Sequence, residues 1–158
     1  MIRNAQIFIL SAVLTAMISA QTKVTLPPDR DALTKGDPMG TTLVAENNLY
    51  PSPQKVLAYK DQLGLTKDQV QKITEIAGNT TVSATVKGSE IIEAEDGLNQ
   101  LFETGTMNDR MLRAKLERIG KLRADYSFLY LQLYVKIKQI LTPNQYERYK
   151  ELVKSETK

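Results

Sequence analysis

Apolar residues recur at steps of three and four along two long stretches of the chain. In the first stretch, from Lys67 to about Phe102, one row repeats at heptad spacing: Val70, Ala77, Ala84, Ile91 and Leu98. In the second stretch the row is Leu112, Leu116, Ile119, Arg123, Tyr126, Tyr130, Leu133, Ile137 and Ile140. This period is typical of amphipathic α-helices, so the pattern predicts two long helices.

A short polar segment, Glu103-Thr104-Gly105-Thr106, separates the two predicted helices. Helices joined by so few residues pack antiparallel, which predicts a helical hairpin. The second helix begins either at Thr106 paired with Asp109, or at Asn108 acting alone as the N-cap.

The middle of the first long segment is a weak helix former. Gly78, Gly88 and five β-branched residues between them lower its intrinsic helix propensity. We predict one continuous helix, with a bend or break near either glycine as the alternative.

A pattern of five residues, Leu-Thr-x-x-Gln, occurs twice. The copies consist of Leu65, Thr66 and Gln69, and of Leu141, Thr142 and Gln145. In each copy the threonine hydroxyl can accept from the backbone N–H three residues on, while the glutamine bonds back to the threonine N–H. This capping box is a helix start, and the leucine before it can form a hydrophobic staple with Val70 or Tyr146. Both copies are therefore predicted to be structural, and the second opens a last helix that ends near Val153.

The chain before the first copy is predicted to hold one short helix and a flexible arm. Ser52 is a suitable N-cap with Pro53 at the first helical position, and Gly64 ends this helix. Residues 21–49 contain prolines, glycines and scattered charges without a sustained apolar period. They are predicted to form a flexible N-terminal arm, with a partner-binding tail as the alternative.

The predicted fold is all-α: a long antiparallel helical hairpin with two short flanking helices. Such a hairpin buries a seam and little more, and small cores are marginal. The heptad period suggests that another helix covers the outer faces, so we predict a cradle-like homodimer. A compact monomeric four-helix bundle is the alternative.

Residues 1–20 have the pattern of a cleavable signal peptide. Arg3 gives a positive start, Ile7 to Ile18 is mainly apolar, and small residues precede the predicted cut after Ala20. The apolar run is short for a membrane span, so no stable membrane insertion is expected after cleavage. An uncleaved N-terminal anchor is the alternative.

The composition removes several classes of function. The chain has no His and no Cys, which excludes disulfides and makes tight zinc, copper or nickel sites and His-dependent catalysis hard to build. Its net charge is +3, without a dense Lys/Arg block, which argues against nucleic-acid binding. With no recognisable catalytic motif, we predict that the protein is not an enzyme and uses no cofactor.

The order and spacing of these features resemble the Spy/CpxP family of bacterial periplasmic proteins, over a helical domain of residues 50–155. The matching pieces are Gly64 to Gln69, Ile91 to Gly105, Leu122-Arg123-Ala124, and Lys138 to Gln145. The resemblance implies a periplasmic, curved, antiparallel dimer of helical hairpins. It also implies a role as an ATP-independent chaperone, an inhibitor of an envelope-stress sensor kinase, or a heavy-metal sensor.

Among these roles, the resemblance favours a chaperone for unfolded periplasmic or outer-membrane proteins. A sensor-kinase periplasmic domain is the alternative partner. Metal-sensing relatives typically carry His where this chain has Tyr130 and Tyr134, and tyrosine, with a pKa of about 10, is a poor ligand at neutral pH. No metal site is therefore predicted. An oxygen site built from Glu93, Glu95 or Asp96 is a weaker hypothesis than a solvated acidic face.

Six residues of the second long helix form the predicted client-binding set. They are Arg113, Arg118, Lys121, Tyr126, Tyr130 and Tyr134. Tyrosine rings can contact varied apolar segments, and the basic side chains can attract clients before contact. The alternatives are that the tyrosines pack in the hairpin seam and that the basic residues form an ordinary solvated face.

Overall fold

The computed structural model describes residues 29–156, and every regular element in that range is helical. The helices are α1 (Arg30–Lys35), α2 (Leu43–Asn47), α3 (Pro53–Ala58), α4 (Lys67–Glu103), α5 (Asp109–Ile140) and α6 (Pro143–Glu156). A 3-10 turn (Gly40–Thr42) precedes α2. The all-α prediction is confirmed. The predicted signal peptide and residues 21–28 lie outside the described residues.

Helices α4 and α5 pack against each other as an antiparallel hairpin, as predicted. They contain 37 and 32 residues, so each is about 50 Å long. Helix α4 continues without a break through Gly78 and Gly88 because packing along its length outweighs their low helix propensity. Asn108 is the N-cap of α5, and its side chain accepts from the Met111 N–H at 3.0 Å. Within residues 29–156, no helix combines the length and apolarity needed to cross a membrane.

Both predicted capping boxes are present. Thr66 and Gln69 exchange their two hydrogen bonds at 3.1 and 3.0 Å, and Thr142 and Gln145 exchange theirs at 3.3 and 2.9 Å. Helices α4 and α6 therefore begin at the predicted threonines.

The short helix α3 begins as predicted and ends early. Ser52 accepts from the Lys55 N–H, and Pro53 is the first helical residue. The helix ends at Ala58 and not at Gly64, and the residues from Tyr59 to Gly64 form a series of tight turns. Gly64 closes those turns with a φ of +59°, which glycine adopts without steric cost.

The core lies in the half of the hairpin that is far from the α4–α5 turn. Its buried members are Leu33, Val56, Leu63, Ile73, Ala84, Ile91, Tyr126, Tyr130, Leu133, Ile137, Leu141 and Tyr149. Helices α3 and α6 contribute to this half, where the rings of Tyr59 and Tyr149 meet edge to face at 6.5 Å. Toward the turn, large side chains such as Phe102 and Leu116 are exposed. The hairpin therefore has a thick base and a thin tip.

The prediction of a flexible arm over residues 21–49 is wrong for the part that the structure describes. Residues 29–49, here called the strap, form α1, the 3-10 turn and α2 and pack on the hairpin. Leu33 of the strap is fully buried. Helices of five or six residues leave no apolar period in a sequence and are stabilised by tertiary contacts instead. The fold thus has two short helices beyond the two that were predicted.

Candidate functional site

The strap covers a row of tyrosines on α5. Tyr126, Tyr130 and Tyr134 stand four residues apart, and each is at most 5% exposed. Their hydroxyls donate to three strap oxygens, the backbone O of Asp37, the backbone O of Gly36 and Oε1 of Glu46. The rings therefore do not form an open surface in this conformation, because the strap occupies that face.

Burial raises the pKa of all three phenols above the usual value of about 10. For Tyr134, the hydrogen bond to Glu46 raises the pKa further. The phenols therefore stay protonated at neutral pH and remain hydrogen-bond donors to the strap.

Two glycines let the strap backbone lie directly on α4. A Cβ added to Gly88 would stand 2.0 Å from the backbone O of Leu33, far inside van der Waals contact. On the strap, Gly36 has a φ of +67°, and a Cβ there would stand 2.6 Å from Thr85 Oγ1. Gly88 was predicted as a point where α4 might bend, and its actual role is to admit the strap.

Charged residues fasten the N-terminal end of the strap; we call this cluster the latch. It consists of Asp29, Arg30, Glu95, Asp96 and Arg123. Arg123 contacts Asp29 at 2.6 Å and Glu95 at 2.5 Å. Arg30 donates two parallel hydrogen bonds to Asp96 at 2.6 and 2.7 Å. The latch therefore joins the strap to both long helices.

The latch shifts the protonation equilibria of its members. The Arg30 guanidinium holds the pKa of Asp96 below its usual range. For Arg123, burial alone would lower the pKa, but the hydrogen bonds that it donates to Asp29 and Glu95 outweigh this effect and raise the pKa. The Arg30–Asp96 pair is therefore fully charged at neutral pH.

The strap is attached by one fully buried apolar side chain, Leu33, by the less deeply buried Met39 and Ala45, and by several polar contacts. Burying Leu33 is worth about 1.5–3 kcal/mol, whereas a partly exposed ion pair contributes about 0.2–1 kcal/mol. One carboxylate oxygen of Asp29 is buried without a hydrogen-bond partner among the described residues, at a cost of about 1–3 kcal/mol. The polar part of the attachment is thus weaker than its number of bonds suggests.

The three basic residues of the predicted set lie apart from the tyrosine row. Arg113, Arg118 and Lys121 are exposed on α5, nearer the turn. Arg113 borders a surface recess of about 500 Å³ whose other lining residues are Asp109, Leu112, Leu116 and Glu117. The six predicted residues therefore do not form one continuous surface. The basic residue that contacts the strap together with the tyrosines is Arg123. The signal for it in the sequence was a charged residue within the apolar row of α5.

A shallow groove runs between α4 and α5 on another part of the hairpin surface. It is formed by recesses of about 490 and 300 Å³ that share Ile76 and Lys136. Polar side chains such as Lys72 and Gln132 line much of it. It is open and mixed in character, and it holds none of the predicted client-binding residues.

Two of the three acidic residues considered for a metal site are bound to arginines. Glu95 binds Arg123, and Asp96 binds Arg30. Within residues 29–156, no group of three or more acidic side chains is arranged to hold a metal ion. The hypothesis of an oxygen-ligand metal site gains no support from this geometry.

The chain was compared with protein-family models, curated proteins and solved structures. None of the three comparisons finds a match. The function of the site is therefore inferred from its geometry and from the resemblance described above.

Proposed function

We propose that this protein is a periplasmic, ATP-independent chaperone or envelope-stress protein that binds unfolded or partner proteins through a helical cradle. The observation that carries the proposal is the mixed surface of α5. Phe128 is 60% exposed and Leu116 is 51% exposed, on the same helix as the exposed cations Arg113, Arg118 and Lys121. Exposed apolar patches that polar residues surround mark protein-interaction surfaces.

A surface of this kind fits unfolded proteins better than one folded ligand. The cations attract acidic segments at long range, and the exposed apolar side chains then contact whatever hydrophobic residues the segment offers. Each contact is small, so binding is reversible without an energy source. The periplasmic location is supported by the signal-like residues 1–20 and by the resemblance to the Spy/CpxP family.

The homodimer is part of the same proposal. Phe128 and Val135 are exposed and lie on the side of α5 opposite the buried Ile137, with Leu131 between them in sequence. Their spacing of three and four residues suits packing against another helix. A second copy of the chain would bury them and widen the helical surface into a cradle.

The experiment is an aggregation assay with reduced α-lactalbumin and the protein purified from the periplasm of expressing cells. We expect suppression at stoichiometric amounts, and weaker suppression by Phe128→Asp. The matched control is Val82→Asp, which places the same charge on an equally exposed residue of α4. Absence of suppression by the unmodified protein would overturn the proposal.

The alternative partner is the periplasmic domain of a sensor kinase. Pull-down from solubilised membranes separates the two partners. A specific membrane protein recovered in the absence of aggregation suppression would favour the regulatory role over the chaperone role.

A further inference from the structure

The contacts of the strap are those that a bound peptide would make. One apolar side chain, Leu33, is fully buried, and one carboxylate, Asp29, binds Arg123. Further along the strap, before α2, the backbone carbonyls of Gly36 and Asp37 accept hydrogen bonds from tyrosine hydroxyls. A hydrogen bond to a backbone carbonyl does not involve the side chain of the residue that accepts it. These two contacts therefore do not by themselves select a sequence.

We infer that the face beneath the strap is a peptide-binding groove, which the strap occupies in cis and which an unfolded segment binds when it displaces the strap. The groove consists of Gly88, Arg123, Tyr126, Tyr130 and Tyr134. It selects a segment with a carboxylate for Arg123, an apolar side chain four residues later, and a glycine three residues beyond that, where a Cβ would collide with Thr85. This inference rests on the proposed client-binding function and names a site for it.

The strap contributes one member, Leu33, to the buried core cluster, and the other members come from the hairpin, α3, α6 and the loops that follow α3 and α5. The exposed residues of the strap include two large apolar side chains, Leu43 and Val44, which gain nothing from attachment to the hairpin. The residues that follow the strap are held independently, since Pro51 and Val56 are fully buried. Release of the strap therefore costs the burial of Leu33 and leaves the rest of the core in place.

Leu33→Asp in the full chain is the variant that opens the groove. It places a charge on the fully buried anchor of the strap and leaves every residue of the groove unchanged. Leu43→Asp is the matched control, because it makes the same change at an exposed residue of the strap. Faster hydrogen exchange of the Asp37 amide, which donates to Ala32 O, reports release of the strap.

A second variant opens and closes the groove in one protein. The chain has no Cys, so Arg30→Cys with Asp96→Cys creates a unique pair at the latch. A short, reducible bifunctional thiol reagent then fixes the strap to α4, and a reductant frees it. This variant tests the inference even if Leu33→Asp lowers the stability of the fold.

The probe is a fluorescent peptide of residues 29–49, with binding to the full chain followed by anisotropy. We expect at least tenfold tighter binding to Leu33→Asp than to Leu43→Asp, loss of binding in the bridged protein, and recovery after reduction. A peptide carrying Leu33→Asp should bind at least tenfold more weakly. Equal binding to the bridged and reduced proteins would overturn the inference.

The aggregation assay, run on the same variants, separates this inference from the proposed function. Peptide binding that follows strap release, without aggregation suppression by any variant, supports the groove and contradicts the chaperone proposal. Equal suppression by the bridged and reduced proteins supports a chaperone that acts through the α5 surface and overturns the groove as its client site.

Discussion

The side-chain amides of Gln69 and Gln145 donate to each other, at 2.8 and 3.1 Å, across the base of the hairpin. Each amide also donates to the backbone carbonyl of the residue that precedes the other copy of the motif. Gln69 donates to Ile140 O at 2.9 Å, and Gln145 donates to Gly64 O at 3.2 Å. Each glutamine therefore caps its own helix and ties that helix to the other, which makes the two Leu-Thr-x-x-Gln copies one structural unit.

This pairing predicts that Gln69→Ala and Gln145→Ala are not additive. Each single substitution should lower the free energy of unfolding by about 1–3 kcal/mol, because it removes a cap and leaves a partly buried amide without its partner. In the double variant the second substitution should cost less, with a coupling of about 0.5–3 kcal/mol. Urea denaturation of the four proteins measures the cycle. Gln71→Ala, an exposed glutamine of the same helix, is the control and should change stability by about 0.5 kcal/mol or less. Strict additivity would show that the amide pair does not couple the copies.

The apolar anchor of the strap predicts a contrast between two leucines of the same segment. Leu33→Ala should lower the free energy of unfolding by about 2–3 kcal/mol, since the side chain is fully buried in the core. Leu43→Ala makes the same change at an exposed position and should have little effect. Denaturation midpoints measure both. Equal midpoints for the two variants would mean that the strap contributes nothing to the stability of the hairpin.

The latch predicts an acid dependence of strap attachment. Arg30 lowers the pKa of Asp96 in the folded protein, so between the folded and unfolded pKa values the folded state binds fewer protons. The stabilisation is therefore present above the unfolded value of about 3.9 and is lost as the pH falls through the lower folded value. Arg123 forms the other ion pairs of the latch, with Asp29 and Glu95.

Asp96→Asn isolates this contribution. In the variant the Leu33 amide should have a lower protection factor at pH 6, relative to its intrinsic exchange rate, and should show a smaller further decrease in protection factor when the pH is lowered to 3. Asp61→Asn, a change at another exposed aspartate, provides the reference. Identical pH profiles for Asp96→Asn and the unmodified protein would contradict a role of the Arg30–Asp96 pair in holding the strap.

The contact between α3 and the end of α6 predicts a shifted phenol titration. The hydrogen bond to Glu156 raises the pKa of Tyr59 to about 12. Because the folded pKa lies above the unfolded value of about 10, this contact stabilises the protein below pH 10 and is lost as the pH rises through 12. Ultraviolet titration should show one fewer tyrosine ionising near pH 12 in Tyr59→Phe. In Glu156→Gln the same phenol should ionise at lower pH, and an unchanged titration in that variant would exclude Glu156 as the cause.

The sequence by itself determined the features that depend on neighbours along the chain. A capping box joins residues three apart, and an amphipathic helix repeats every 3.6 residues, so both boxes and both long helices could be predicted. The sequence left Thr106 and Asn108 as alternative caps of α5, and the structure has Asn108. Continuity of α4 was also predictable, because its apolar row continues past both glycines.

Only the tertiary structure decided which residues contact each other on the face of the hairpin that the strap covers. The hydroxyls of Tyr126, Tyr130 and Tyr134 bond to residues 88–94 positions away, and Arg123 meets Asp29 across 94 positions. Such partners leave no local period or spacing. A strap of five- and six-residue helices resembles a flexible arm in sequence, because its order comes from burying Leu33 against α4 and not from its own helix propensity.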